Sequence, residues 1–135
     1  MKNNSYIYKI LIITNDFFKI HYALTLAATI KSSDISCTLF FAGYACHALK
    51  KKEGYKSLDI NQENFKLIQS GLPGFDEMIK LCNELSISIM ICEAGLKLCD
   101  INKDEIRNDI KIMSGGLYTF IPKKNSFDTD KLLII

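Results

Sequence analysis

The sequence predicts an α/β fold: a three-layer sandwich in which a mostly parallel sheet of about five strands carries helices on both faces. Three observations lead there. Short apolar runs rich in β-branched and aromatic residues, "YIYKILII", "ISCTLFFAG" and "ISIMIC", read as strands buried on both faces. Amphipathic segments alternate with them along the chain. The first strand, helix and strand also fit within about 35 residues, the size of a βαβ unit with a right-handed crossover.

The first strand is expected over 7–14, ending at Asn15 and Asp16, both good helix caps. The following helix, "FFKIHYALTLAATIK", turns residues 20, 23, 24, 27 and 30 to the core and 19, 25 and 29 outward, and Ser32, Ser33 and Asp34 end it. A second strand spans 35–42 and stops at Gly43. "YACHALKKK" fits a short helix or loop with Lys50–Lys52 as its solvated end. Residues 53–72 show no firm period and read as loop, with a short strand or helix near Phe65–Ile68. "LPGFDEMIKLCNEL" is a clean helix: Phe75, Met78, Ile79, Cys82 and Leu85 form one stripe, and Asp76, Glu77, Lys80, Asn83 and Glu84 the other. The third strand covers 87–92. Beyond it come a short helix in "EAGLKLC", a capping box from Asn102 to Glu105, and a fourth strand at 110–113. A short helix capped by Ser114 and a last strand at 131–135 follow.

One domain, 1–135, accommodates all of this in 135 residues. Seventeen Lys and Arg against 15 Asp and Glu leave a net charge of +2, too little to point to nucleic acid or an acidic membrane. No apolar run approaches the ~20 residues of a membrane span. The N-terminus lacks a small-residue cleavage site and reads as a strand rather than a signal peptide. A soluble, cytoplasmic protein is expected.

The chemistry is narrow. "SGG" at 114–116 matches no phosphate-binding loop, and no nucleophile-elbow serine occurs. His21 borders the apolar stripe of the first helix and reads as a packing histidine. His47, beside Cys46, reads as a surface residue. Neither has the partner spacing of a metal site, and no metal or organic cofactor is expected. Asp76–Glu77 and Asp104–Glu105 lie in first turns, where the helix dipole accounts for them. Five cysteines, at 37, 46, 82, 92 and 99, are an odd number without zinc spacing, so free thiols are expected. Cys37 and Cys82 fall on core positions. Cys92 falls at the carboxyl end of the third strand, the edge of an open α/β sheet where ligands and reactive groups collect. Backbone N–H groups there favour the thiolate, although neighbouring Glu93 opposes it.

Three stretches also resemble, in order, the DsrE/DsrF/DsrH-like family, which includes the TusD-like sulfur-relay proteins. They are "ILIITND…YALTLAATIKSSDISCTLFFAGYACHALKK", "GFDEMIKLCNELSISIMICEAGLKLCDINKDEI" and "IKIMSGGLYTFI…DKLLII". Asn15–Asp16–Phe17–Phe18 departs from the family's first loop, and Ser86 and Cys99 stand where it has glycine. The resemblance implies the same sandwich fold and a persulfide carried on Cys92, passed from a sulfur donor protein to an acceptor thiol. It also implies a homo-oligomer: a dimer, trimer or hexamer. Cys99 is the candidate second thiol. Two other readings remain open: a non-catalytic assembly or binding subunit, and a thiol redox sensor with a Cys92–Cys99 disulfide.

Overall fold

The computed structural model describes residues 6–121 and 130–135. Five strands, β1 (Ile7–Ile12), β2 (Ser36–Phe41), β3 (Ser88–Cys92), β4 (Met113–Gly115) and β5 (Asp130–Ile134), form one sheet in the order β4-β3-β2-β1-β5. Every neighbouring pair is parallel. The register sets Ile10 beside Leu39 and Ile12 beside Phe41, with Ile89 and Ile91 next in the same rows. These six side chains define the inner face, and all are buried.

Helices α1 (Phe17–Ser32) and α3 (Phe75–Glu84) cover that face, as successive right-handed crossovers in one direction require. Asp16 caps α1, its Oδ1 accepting the Lys19 N–H at 2.9 Å. The start of α3 borrows its cap from α2 (Glu63–Gln69): Asn64 Oδ1 accepts the Phe75 N–H at 2.8 Å. Phe17, Tyr55 and Phe75 pack as a ring triad with centroids 5.8–6.2 Å apart. His21 joins it, 6.0 Å from Phe17, with Nε2 2.9 Å from the Pro73 carbonyl. It is the packing histidine the sequence predicts.

The alternate rows (Lys9 and Leu11, Thr38 and Phe40, Met90 and Cys92) form the outer face. One short helix, α5 (Leu117–Phe120), lies on it and stacks Phe120 on Phe40 at 4.8 Å. Lys9 sits 5.9 Å over the Phe120 ring and 3.3 Å from Asp130. At the carboxyl edge, a 3₁₀ turn over Gly43–Leu49 and helix α4 (Glu93–Leu98) pack together. No helix of the described residues is long and apolar enough to cross a membrane.

Several boundaries differ from expectation. The "YACHALKKK" segment is the 3₁₀ turn, and the stretch without a firm period holds a second one over Gly54–Ser57 together with α2. The fourth strand begins at Met113, not 110. Ile110 is buried as an anchor, and the Lys111 N–H goes to Asn83 Oδ1 at 3.1 Å, so the approach is bound before pairing starts. Ser114 therefore lies within β4, opposite Ile91, and Gly116 is the residue that caps α5. Residues 122–124 of the expected last helix lie outside those described. Asp76 does more than meet a helix dipole, since it accepts from Arg107 Nη1 at 2.9 Å while Asp109 takes the same guanidinium at 2.8 Å.

Candidate functional site

Cys92 is the last residue of β3 and the residue before α4. It pairs with Gly115 of β4, and the pleat turns it to the outer face with Met90. It is 9% exposed, against 4% for Cys37 and none for Cys82. Both of those face the inner core: the Cys82 Sγ donates to the Leu24 carbonyl at 3.4 Å. Burial pushes the Cys37 thiol up to about 11 and the Cys82 thiol to about 12.

Cys99 closes α4 at its other end and is the most accessible of the five thiols. Its Sγ donates to the Gly43 carbonyl at 3.3 Å. Burial raises its pKa, and the nearby Lys50 ammonium opposes the rise. Seven residues of helix at 1.5 Å each part Cys92 from Cys99 by about 10 Å along the axis, beyond the ~7 Å Cα separation a disulfide spans. The direct Cys92–Cys99 bridge of the redox-sensor reading therefore requires α4 to unwind.

The residue that sequence reasoning passed over is Cys46. Fully buried in the 3₁₀ turn, it donates to the Phe41 carbonyl at 3.5 Å and approaches the Cys92 carbonyl at 3.9 Å. A Cβ on Gly95 would stand 2.5 Å from its Sγ, so this thiol fills the space that glycine leaves in α4. Burial, then the neighbouring Cys99 and Cys92, push its pKa up to about 12. The available signal was Gly95 itself, a glycine inside a short helix, which calls for a close neighbour.

His47 is not the surface residue expected. It is half-buried, and its Nδ1 is enclosed without a hydrogen-bond partner. Burial and then Lys50 lower its pKa, which favours the neutral ring. Among the described residues, no three His, Cys, Asp or Glu side chains converge to hold a metal ion.

Two solved structures share this architecture. The ychN protein from E. coli superposes with a TM-score of 0.63 over 97% of this chain and 99% of its own, at 15% identity. MTH1491, a protein of unknown function from Methanobacterium thermoautotrophicum, does so with a TM-score of 0.59 over 97% of this chain and 100% of its own, at 8% identity. No family model matches the chain, and no curated protein sequence does. The fold is thus the DsrE-like α/β fold of ychN, and at these identities the likeness speaks of fold alone.

Proposed function

We propose that this protein relays sulfur as a cysteine persulfide on Cys92. One observation carries the reading: Cys92 is the only one of the strand and helix cysteines at 37, 82 and 92 that stands at the carboxyl edge of the sheet, directly before a turn into the next helix. The Cys92 thiolate attacks the outer sulfur of a donor persulfide R–S–SH. The S–S bond of the donor breaks, R–S⁻ leaves, and Cys92–S–SH forms. An acceptor thiolate then attacks the same outer sulfur and releases Cys92 as thiolate. One sulfur atom moves, the oxidation states sum to no change, and the chain itself supplies only the position of the Cys92 sulfur.

The outer sheet face supports assembly with further copies of this chain. α5 covers its centre, but Ile134 is 62% exposed and Ile13 50%, with Leu132 open beside Lys9. Met113 and Leu117 are exposed at the far side. Ile13, Leu132 and Ile134 are neighbours on the β1–β5 side of α5, an exposed apolar group of the kind that marks interaction sites. Each copy offers the same parallel edge strand β5, whose outer backbone groups suit self-pairing. The test of the relay is transfer of one sulfur from a small persulfide to Cys92, located by mass spectrometry. Sulfur that arrives elsewhere, or not at all, leaves the non-catalytic assembly subunit as the reading.

A further inference from the structure

We infer that Cys46 and Cys99 form an intramolecular disulfide when the protein meets a peroxide, stapling the Gly43–Leu49 turn to the end of α4. The inference is independent of sulfur relay at Cys92.

The geometry rests on Gly95. The Cys99 N–H bonds the Gly95 carbonyl at 2.9 Å, so the two residues lie one turn apart on the same helix face. Side chains four apart on such a face have Cβ atoms ~5–6 Å from each other. Gly95 has no side chain, and Cys46 Sγ stands 2.5 Å from where its Cβ would be. Cys46 thus occupies the neighbouring place on the face that carries Cys99. The Gly43 carbonyl ties the two together. It accepts from Cys99 Sγ at 3.3 Å and lies 3.4 Å from the vacant Cβ position. Both sulfurs border one notch, floored by Gly43 and Gly95. Of the two other cysteines that sense Cys46, Cys99 raises its thiol more than Cys92 does, which agrees with that placement. Cys46 meets Cys92 through the Cys92 carbonyl oxygen, while the Cys92 side chain turns to the outer sheet face.

Accessibility divides the roles. Cys99 is open enough for a small oxidant, whereas Cys46 is fully buried and is spared direct attack. A peroxide ROOH oxidises the Cys99 thiol to Cys99–SOH and is itself reduced to ROH. As the Cys46 sulfur bonds to the Cys99 sulfur the S–O bond breaks, and the Cys46 proton leaves with the departing hydroxide as water, giving Cys46–S–S–Cys99 from a thiol that burial keeps protonated. Two thiols give up two electrons, and the peroxide takes them. Resolution by a pre-placed thiol halts Cys99 before the irreversible sulfinic acid.

The test treats wild-type protein and Cys92→Ser with equimolar hydrogen peroxide, blocks free thiols, digests without reduction and maps crosslinks by mass spectrometry. The expected product in both is a peptide pair joined at Cys46 and Cys99. Cys37 and Cys82 are recovered as thiols, and the link is absent from Cys99→Ser. Recovery of Cys99 as sulfinic or sulfonic acid beside an intact Cys46 thiol would overturn the inference. So would a crosslink through Cys92 in place of Cys46, or an unmodified Cys99. Because Cys92→Ser cannot carry a persulfide on residue 92, the outcome is read apart from the relay.

Discussion

Gly95→Ala probes the contact between α4 and the turn that precedes it. The added methyl would stand 2.5 Å from Cys46 Sγ and 3.1 Å from the Gly43 backbone nitrogen. Carbon contacts settle at ~3.5–4.0 Å, so one wall must retreat by about 1 Å. Neither is a flexible surface chain, since Cys46 is fully buried and Gly43 presents backbone. Overpacking of this kind costs ~1–3 kcal/mol, and an overlap this deep belongs at the upper end. Alanine returns ~1 kcal/mol of helix propensity, leaving a net loss of about 2 kcal/mol. For a chain of this size that lowers Tm by about 6–8 °C. In a Cys46→Ala background the sulfur is gone and only the 3.1 Å approach to the Gly43 nitrogen remains, so Gly95→Ala should become about neutral, that contact offsetting the ~1 kcal/mol of helix propensity. Thermal and urea unfolding of the four proteins gives a coupling energy of ~2 kcal/mol. Equal destabilisation in both backgrounds would refute the packing argument.

Ser86 holds a left-handed φ of +64°, so Ser86→Gly should stabilise by about 0.5–1 kcal/mol in urea unfolding, and an unchanged midpoint would count against strain there. His47 is held neutral by burial and Lys50, so its folded pKa lies below its unfolded value. As pH falls through ~6.5 the unfolded chain takes up the proton first, and stability drops until the folded ring also protonates. Comparing unfolding at pH 7.5 and 5.5 with His47→Gln should show that slope flattened, whereas an unaltered slope assigns it to other groups. Light scattering at micromolar concentration should find a homo-oligomer, and Ile134→Lys, which charges the open sheet face, should shift it toward monomer. A wild-type monomer would remove the assembly argument.

Much of the fold was legible because hydrophobic period and strand composition agree along most of the chain. Ile10, Leu39 and Ile89 share one row because each lies in an apolar run of strand length. The burial expected of the first strand on both faces holds only for the inner one: Leu11 is half-buried and Ile13 50% exposed on the outer face. Legibility failed where tertiary bonds decide. Nothing local in "NDIKIM" reveals that Asn83 takes the Lys111 N–H or that Arg107 is held by Asp76 and Asp109, so β4 was expected three residues early. Ser86 hid a turn because serine rarely takes positive φ, although a glycine is what the resembling family has there. At the site, the carboxyl-edge position of Cys92 follows from strand order alone. Cys46 stayed hidden because its neighbours, Gly95 and Cys92, are distant in sequence and meet it only once α4 folds back on the turn.

Persulfide transfer to the native protein decides whether sulfur rides on Cys92. The native protein is exposed to glutathione persulfide, persulfides are trapped with an alkylating agent, and each cysteine is read by mass spectrometry. One added sulfur is expected on Cys92 ahead of Cys37 and Cys82, lost in Cys92→Ser and released to an added acceptor thiol. A Cys92 that gains sulfur no faster than the buried Cys82 would contradict the relay.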